Sequence, residues 1–293
     1  MAETNPKQRK CGAMTAQNRL LELDPGIRER LLALENATRT RRQSGVVVRR
    51  GLLTIPVIVH VVFQKDEQNI SDGQIQSQIR VLNQDFRATN PDISRIPPVW
   101  RPLATDAQLE FRLADVTWTR TTRVDFSTND TVKFASSGGH DVVQPDTHLN
   151  IWVCNIRGGI LGYAQFPGGP PATDGVVILH SAFGTEGTAA VPFNLGRTVT
   201  HEIGHYLNLH HIFGDSLVPN CNDDDFIDDT PNQESPNFNK PNSPSISCSN
   251  SPDGDMFMNY MDYVDDDTMF MFTTQQVLRM RTALAEQRTN LGV

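Results

Sequence analysis

The stretch HEIGHYLNLHH, residues 201–211, places His201, His205 and His211 and the glutamate Glu202 within reach of one another. On a helix, positions i and i+4 share a face one turn apart, so His201 and His205 can aim ring nitrogens at a common point. Glu202 is offset from both and can reach a water beside that point rather than the point itself. His211 completes a set of three neutral imidazoles, which leaves a tetrahedral zinc ion one open position, the arrangement of a catalytic site. His211 can fold back only if the helix stops after His205 and the chain turns sharply through a left-handed residue. Asn208 stands where that residue is needed. Asparagine is the best non-glycine occupant, at about 1 kcal/mol of backbone strain, so the turn is expected to form.

Such a helix needs a scaffold. The β-branched run TIPVIVHVVF, after Leu53, reads as a buried strand. SDGQIQSQIRVLNQDF is the clearest helix: Ser71 caps it with Gln74 three residues on, and Ile75, Ile79, Leu82 and Phe86 form one apolar stripe. AQLEFRLADVTW alternates like a half-buried strand, and HLNIWVCNI and DGVVILH add two more. Between these last two, RGGILGYAQFPGGPPATD is rich in glycine and proline and reads as an irregular loop. Residues 214–255 are loop-like, and TTQQVLRMRTALAEQRTNL forms a terminal helix begun by Thr273 or Thr274. The order predicts an α/β (α+β) fold with a mixed sheet, in which the histidine-bearing helix precedes an irregular C-terminal part.

A chain of 293 residues has ample length for a core, and no stretch approaches the apolar length of a membrane span. No apolar leader is visible at the start, so no signal peptide is expected in this chain. Residues 1–50 hold 11 Lys and Arg against 5 Asp and Glu, a surplus of +6, while the remainder holds 15 against 29, or −14. An acidic body behind a basic arm argues against nucleic acid as a partner and allows the arm to dock on the body. Within the arm, LLELDPGIRERLLALENA suggests two short helical pieces broken at Asp24-Pro25-Gly26, and TRTRRQSGVVVRRG reads as an exposed basic linker. Of four cysteines, Cys221 and Cys248 bracket a polar, proline-rich loop whose closure by a bridge would contribute roughly 3 kcal/mol. Cys154 lies in an apolar run and reads as a small buried hydrophobe, and Cys11 stands alone in the arm.

HEIGHYLNLHH resembles the long zinc signature of the metzincin metallopeptidases, with Asn208 in place of their usual glycine, and MNYMDY resembles their Met-turn. Together with IPVIVHVVF, LNIWVCNI, GILGYAQFPG and CNDDDFIDDTP, these make residues 51–293 similar to the pappalysin family. The resemblance implies a twisted mixed sheet with an active-site helix in an upper subdomain, about 51–211. A lower subdomain, about 212–293, would hold the Met-turn and the terminal helix. It implies zinc ligands His201, His205 and His211, with Glu202 as general base and acid. Met261 would form the hydrophobic floor, and Tyr263 would help stabilise the oxyanion. Asp266, five after Met261, matches the acidic floor of the pocket for the residue after the scissile bond, and so implies Arg or Lys there. Its neighbours Asp265 and Asp267 leave that register open by one residue. Asp225 and Thr230 match positions of a calcium loop, whose oxygen-rich character suits that ion. The family's second bridge is missing, since its places look like Lys240 and Thr268. Cys221–Cys248 would remain, and the C-terminal loop should be less constrained.

RKCGAM resembles the cysteine-switch segment of metallopeptidase zymogens, which implies that Cys11 is a zinc ligand in a latent form and that residues 1–50 are an inhibitory pro-segment. Arg30, Arg39, Arg41, Arg42, Arg49 and Arg50 are candidates for the activating cut, which such an enzyme could make itself. The expected protein is therefore a secreted zinc endopeptidase that acts on peptides with Arg or Lys after the scissile bond. Its substrates would lie along an exposed strand edge near GGILGYAQ. Two rivals stand beside it. A peptidase with a distant glutamate as third ligand is disfavoured by His211 and the Met-turn. A metal-stabilised binding or adhesion module would have no need of Glu202.

Overall fold

The computed structural model describes residues 6–45, 49, 51–216 and 218–292. A five-stranded sheet carries the chain, built from β1 (Leu53–Phe63), β2 (Leu109–Arg120), β3 (Leu149–Cys154), β4 (Gly162–Ala164) and β5 (Val176–Leu179). The strand order is β2-β1-β3-β5-β4. All neighbours are parallel except β4, which runs antiparallel to β5 at one edge. β3 and β5 are buried along their whole length, as continuous apolar runs require in the middle of a sheet covered on both faces. β2, at the opposite edge, is largely open, which fits its alternating sequence.

The helix α3 (Asp72–Asp85) starts as its sequence predicts, with the Ser71 hydroxyl accepting the N–H of Gln74. Ile75, Ile79, Leu82 and the following Phe86 enter the main core. Its buried glutamines hold the approach to the histidine helix: Gln74 Nε2 donates to Phe183 O at 2.8 Å, and Gln78 Nε2 donates to Gly196 O at 3.0 Å. The histidine helix α4 (Arg197–Tyr206) begins directly after that pinned glycine. A terminal helix α5 (Thr274–Glu286) is capped by Thr273 in a capping box with Gln276. Between them, β6 (Phe238–Asn239) and β7 (Tyr263–Val264) form a short parallel pair in an otherwise irregular region. The mixed α/β architecture inferred from the sequence is the one present.

Two local readings need correction. The Gly- and Pro-rich segment before β5 is not wholly irregular, because it contains β4, whose backbone pairs with β5 through Gly162, Tyr163 and Ala164. Three residues beside glycines give no periodic signal. The arm's basic linker starts later than its composition suggests. After α1 (Ala13–Leu23), α2 (Gly26–Ser44) runs on through Arg39, Arg41 and Arg42 and stops at the left-handed Gly45. Residues 38–44 stay helical because the body supplies partners, with Arg41 paired to Glu286 and Arg42 to Asp228 at 2.8 Å. Arg50 lies outside the described residues. The segments that the missing second bridge would join are linked by an exposed ion pair, a weaker constraint than a disulfide. Lys240 and Asp267 form it, beside the β6–β7 pairing. Cys221 and Cys248 are bridged, and Cys154 is fully buried and free.

Candidate active site

The left-handed turn forms at Asn208, at φ 74°. Two contacts fix it: His205 Nδ1 donates to Leu209 O at 2.7 Å, and Arg279 of α5 donates its Nε–H to Asn208 O at 2.6 Å. His211 is thereby returned to α4, and the three imidazoles converge. His205 Nε2 lies 3.2 Å from His201 Nε2 and 3.1 Å from His211 Nε2.

Every Nδ1 of the trio has an outward acceptor. His201 Nδ1 donates to Tyr260 O at 2.7 Å, and His211 Nδ1 donates to Asp215 Oδ1 at 3.0 Å. With the protons on Nδ1, three lone pairs face one another at the centre, an arrangement that repels unless a cation sits among them. Burial, then the neighbouring histidines, pushes His201 and His205 well below the usual imidazole range, so they stay neutral. The donor set thus fits a zinc ion. Among the described residues, Cys11 with His201, His205 and His211 is a group able to hold a metal, their ligand atoms lying within 4.8 Å of one another.

Glu202 is fully buried beside this centre, with Oε2 3.5 Å from Cys11 Sγ. Burial pushes its carboxyl up to about 8. β4 passes close above: a Cβ on Gly162 would stand 2.8 Å from Glu202 Cγ, so only glycine lets the strand edge approach the carboxylate. Met261 is buried beneath α4, and a Cβ on Gly204 would meet its sulfur at 2.4 Å. Tyr263 donates its hydroxyl to His211 Nε2 at 3.2 Å, on the open side of the trio.

The acidic run after Met261 resolves into distinct environments. Asp266 is fully buried and accepts from Leu195 N at 2.8 Å through Oδ2. Asp267 pairs with Lys240 at the surface, and the backbone N–H of Asp265 donates to Asn239 O at 3.0 Å. Asp225 and Thr230 also meet, the Thr230 hydroxyl lying 2.9 Å from each Asp225 oxygen. Burial raises the Asp225 carboxyl well above its ordinary range.

Three residues with clear places at the site were not singled out from sequence. Arg9, two before Cys11, inserts between Phe193 and β7. Its Nη2 donates to Asp266 Oδ1 at 2.6 Å, Nη1 to Thr198 Oγ1 at 3.0 Å and Nε to Val264 O at 3.2 Å. Asp215, four after His211, accepts from that ring with one oxygen and from His210 Nδ1 with the other. Arg279 has already been described under the Asn208 turn. The spacing from Cys11 and His211 was the only signal available for the first two.

The arm lies across this centre. Gly12 N donates to Gly162 O at 2.8 Å and Leu161 N donates to Lys10 O at 2.9 Å, so the arm pairs with β4 in the parallel sense. Residues 142–285 match the family model described as Pregnancy-associated plasma protein-A. An extracellular metalloprotease of Pyricularia oryzae is 33% identical over 289 residues, covering 95% of this chain and 89% of its own. The chain belongs to the pappalysin family of metallopeptidases. A second fungal relative, an extracellular metalloprotease of Arthroderma benhamiae, is 30% identical over 94% of this chain and 83% of its own. Among solved pappalysin structures, a promirolysin mutant of Tannerella forsythia superposes with a TM-score of 0.89 at 41% identity, covering 97% of each chain. Mature mirolysin in complex with a cleaved peptide gives 0.79 at 43% identity, covering 83% of this chain and 99% of its own. This pappalysin is therefore a zinc metalloendopeptidase. Among the described residues, no helix is long and apolar enough to cross a membrane.

Proposed function

We propose that the chain is a secreted zinc endopeptidase held latent by residues 1–50, cutting on the N-terminal side of Arg or Lys, and that residues 51–293 are its catalytic domain. The observation that carries this reading is the joint seat of Arg9 and Cys11. The thiol faces three imidazole lone pairs while an arginine fills a buried acidic pocket beside them. A thiolate is a stronger zinc ligand than water, so Cys11 would exclude the nucleophile. The seat of Arg9 supports the basic preference, a carboxylate with two further acceptors being matched to a guanidinium. The relatives named extracellular support secretion.

The arm's direction would let it inhibit without being cut. Its arginine precedes the thiol, whereas a substrate arginine would follow the scissile bond. A substrate with arginine in the same pocket must run the other way, antiparallel to β4, and its backbone would complete the strand edge. His201, His205 and His211 would hold the zinc ion, which supplies Lewis acidity to the scissile carbonyl and lowers the pKa of a water. Glu202 would take the proton from that water and hand it to the leaving amine, its buried carboxyl being suited to both protonation states. Tyr263 would donate its hydroxyl to the developing oxyanion. Met261 would keep the floor beneath the trio apolar. Asp225 and Thr230 would contribute oxygens to a calcium ion, whose charge would offset the desolvation of Asp225.

Activation would follow a cut before Arg49 or Arg50. Arg30, Arg39, Arg41 and Arg42 lie within α2, where the backbone is not extended for cleavage. The test is mass spectrometry of the purified full chain over time, with zinc and calcium, beside Glu202→Ala. New N-termini beginning at arginine in the wild type alone would support the base, the basic preference and self-activation. If trypsin must be added before any arginine peptide is cleaved, self-activation falls while latency stands. Cleavage with no preference for Arg or Lys would overturn the role given to Asp266.

A further inference from the structure

Beyond the pocket taken by Arg9, α1 and α2 cover a second depression in the body. A cavity of about 330 Å³ remains between them. The arm lines it with Met14, Leu21, Leu31 and Leu32 and with the polar Gln17, Arg28 and Glu35. The body's side is Phe166, Asn208, His210, Phe226 and Arg279. This floor is continuous with the metal centre. The Phe166 ring lies 5.3 Å from the His205 ring and 5.3 Å from that of His210, the residue before the third imidazole.

Among the described residues, Arg279 is the arginine that the body contributes to this lining, opposite Arg28 of the arm. Its Nη2 meets Glu35 of α2 at 2.6 Å, and the guanidinium is only 2% exposed. Its Nε is bound to Asn208 O, and among the described residues its Nη1 has no hydrogen-bond partner. When the arm leaves, Glu35 leaves with it. A guanidinium with one occupied donor then lies between Phe226, over whose ring it packs at 5.9 Å, and the turn of the histidine motif. Asp225 is close enough to act on it electrostatically, but that carboxylate is already engaged by Thr230 and the backbone of Ile227.

Chain direction says what must cover this floor in the active enzyme. A substrate running antiparallel to β4, with its arginine in the Asp266 pocket, sends its N-terminal residues toward the end of β4 that leads into Phe166. We propose that the floor formed by Phe166, His210, Phe226 and Arg279 is the subsite for substrate residues N-terminal to the scissile bond, and that Arg279 makes it select an acidic side chain there. The arm imitates this occupant in part, setting leucines over the cavity that the aromatic rings line and a carboxylate against Arg279. The subsite rests on the reading of Asp266 given above only for its direction. The resulting substrate class is a segment with an acidic residue upstream and a basic residue just after the cut bond, the charge order opposite to a purely cationic sequence.

The experiment uses the full chain with zinc and calcium, activated by a trace of trypsin that is then inhibited. Peptides share one internal arginine and differ only in whether Glu, Gln or Lys occupies each upstream position in turn. At one upstream position kcat/KM should be about ten-fold higher for Glu than for Lys, mainly through KM, and the ratio should shrink in high salt. Arg279→Lys should keep the preference and Arg279→Gln should abolish it. Because Arg279 also supports the Asn208 turn, a second variant is made at an exposed site: Phe226→Glu sets a carboxylate beside Arg279 and should reverse the preference toward Lys. A flat upstream scan in the wild type, or a Glu preference that survives both Arg279→Gln and Phe226→Glu, overturns the proposal. If cleavage occurs but not before arginine, the Asp266 reading fails, and the Glu-to-Lys ratio at the bonds actually cut still decides the subsite.

Discussion

The guanidinium of Arg9 and the carboxylate of Asp266 meet at 2.6 Å with side-chain exposures of 1% and 0%. A pair so completely removed from water depends on both members, since losing one leaves the other charge buried and uncompensated. The same two segments place Cys11 against the histidine trio, so the pocket and the metal centre are blocked by one short stretch of arm. On the proposed function, latency would have two anchors, separated by a single residue in the arm.

Removing either anchor should loosen the arm. Arg9→Gln leaves Asp266 unpaired, at a penalty of about 3–5 kcal/mol that falls on the docked state. Cys11→Ala opens the fourth metal position without disturbing Asp266. Both variants should reach the mature length sooner than wild type in the presence of zinc, followed by gel and mass spectrometry. Unchanged conversion in both would mean that helices α1 and α2 alone hold the arm.

Asp215 should tune the metal centre from behind. It accepts the Nδ1–H of His211, which fixes that ring with Nε2 toward the centre. Asp215→Ala should weaken zinc affinity by roughly 10–100-fold, measured by competition with a chelator. Asp215→Asn retains an oxygen acceptor and should recover part of the loss. Equal zinc affinity in all three proteins would reduce Asp215 to a surface partner of His210.

The Asn208 turn offers a stability test. At φ 74° a glycine there removes the steric cost of a Cβ, so Asn208→Gly should raise stability by about 1 kcal/mol. Asn208→Val should be destabilising and lower zinc occupancy, because a β-branched residue fits that conformation poorly. Calorimetric melting with zinc titration distinguishes the two. A glycine variant no more stable than wild type would show that the asparagine side chain fully offsets its strain.

How far the sequence reaches is set by how local each signal is. The histidine trio, Glu202 and the Asn208 turn are encoded within eleven consecutive residues, and all converge as their spacing demands. Ser71 and Gln74 likewise announce a helix start through a contact three residues long. Arg9–Asp266 spans 257 positions, and nothing in either neighbourhood names the other. Among Asp265, Asp266 and Asp267 the resemblance favours Asp266 by its distance from Met261 but leaves the register open by one residue, whereas burial and a bound guanidinium separate them at once. β4 was obscured because its strand character comes from its partner β5 rather than from Gly162 or Ala164. The helical end of α2 was obscured for the same reason, its partners Glu286 and Asp228 being remote in sequence.

On the face of the sheet away from the metal centre, His60 provides a pH dependence free of the catalytic groups. It is fully buried on β1, with Nε2 2.8 Å from Asn150 Oδ1 and Nδ1 2.8 Å from Thr117 Oγ1, and its ring stacks on His140 at 4.4 Å. Burial, helped by His140 and partly offset by Asn150 and Asp115, lowers it to about 4. The neutral ring satisfies both contacts, donating to Asn150 and accepting from the Thr117 hydroxyl. Because the folded value lies below the ordinary 6.5, the unfolded chain binds more protons between pH 6.5 and pH 4. The stability that His60 contributes is therefore complete above pH 6.5 and is lost as the pH falls toward 4, to a total of about 3 kcal/mol at most. Urea unfolding across that window should show a shallower acid slope for His60→Gln than for wild type. Parallel slopes would mean that the ring gains its proton without leaving its place, with His140 or the Asn150 amide reorienting to accept it.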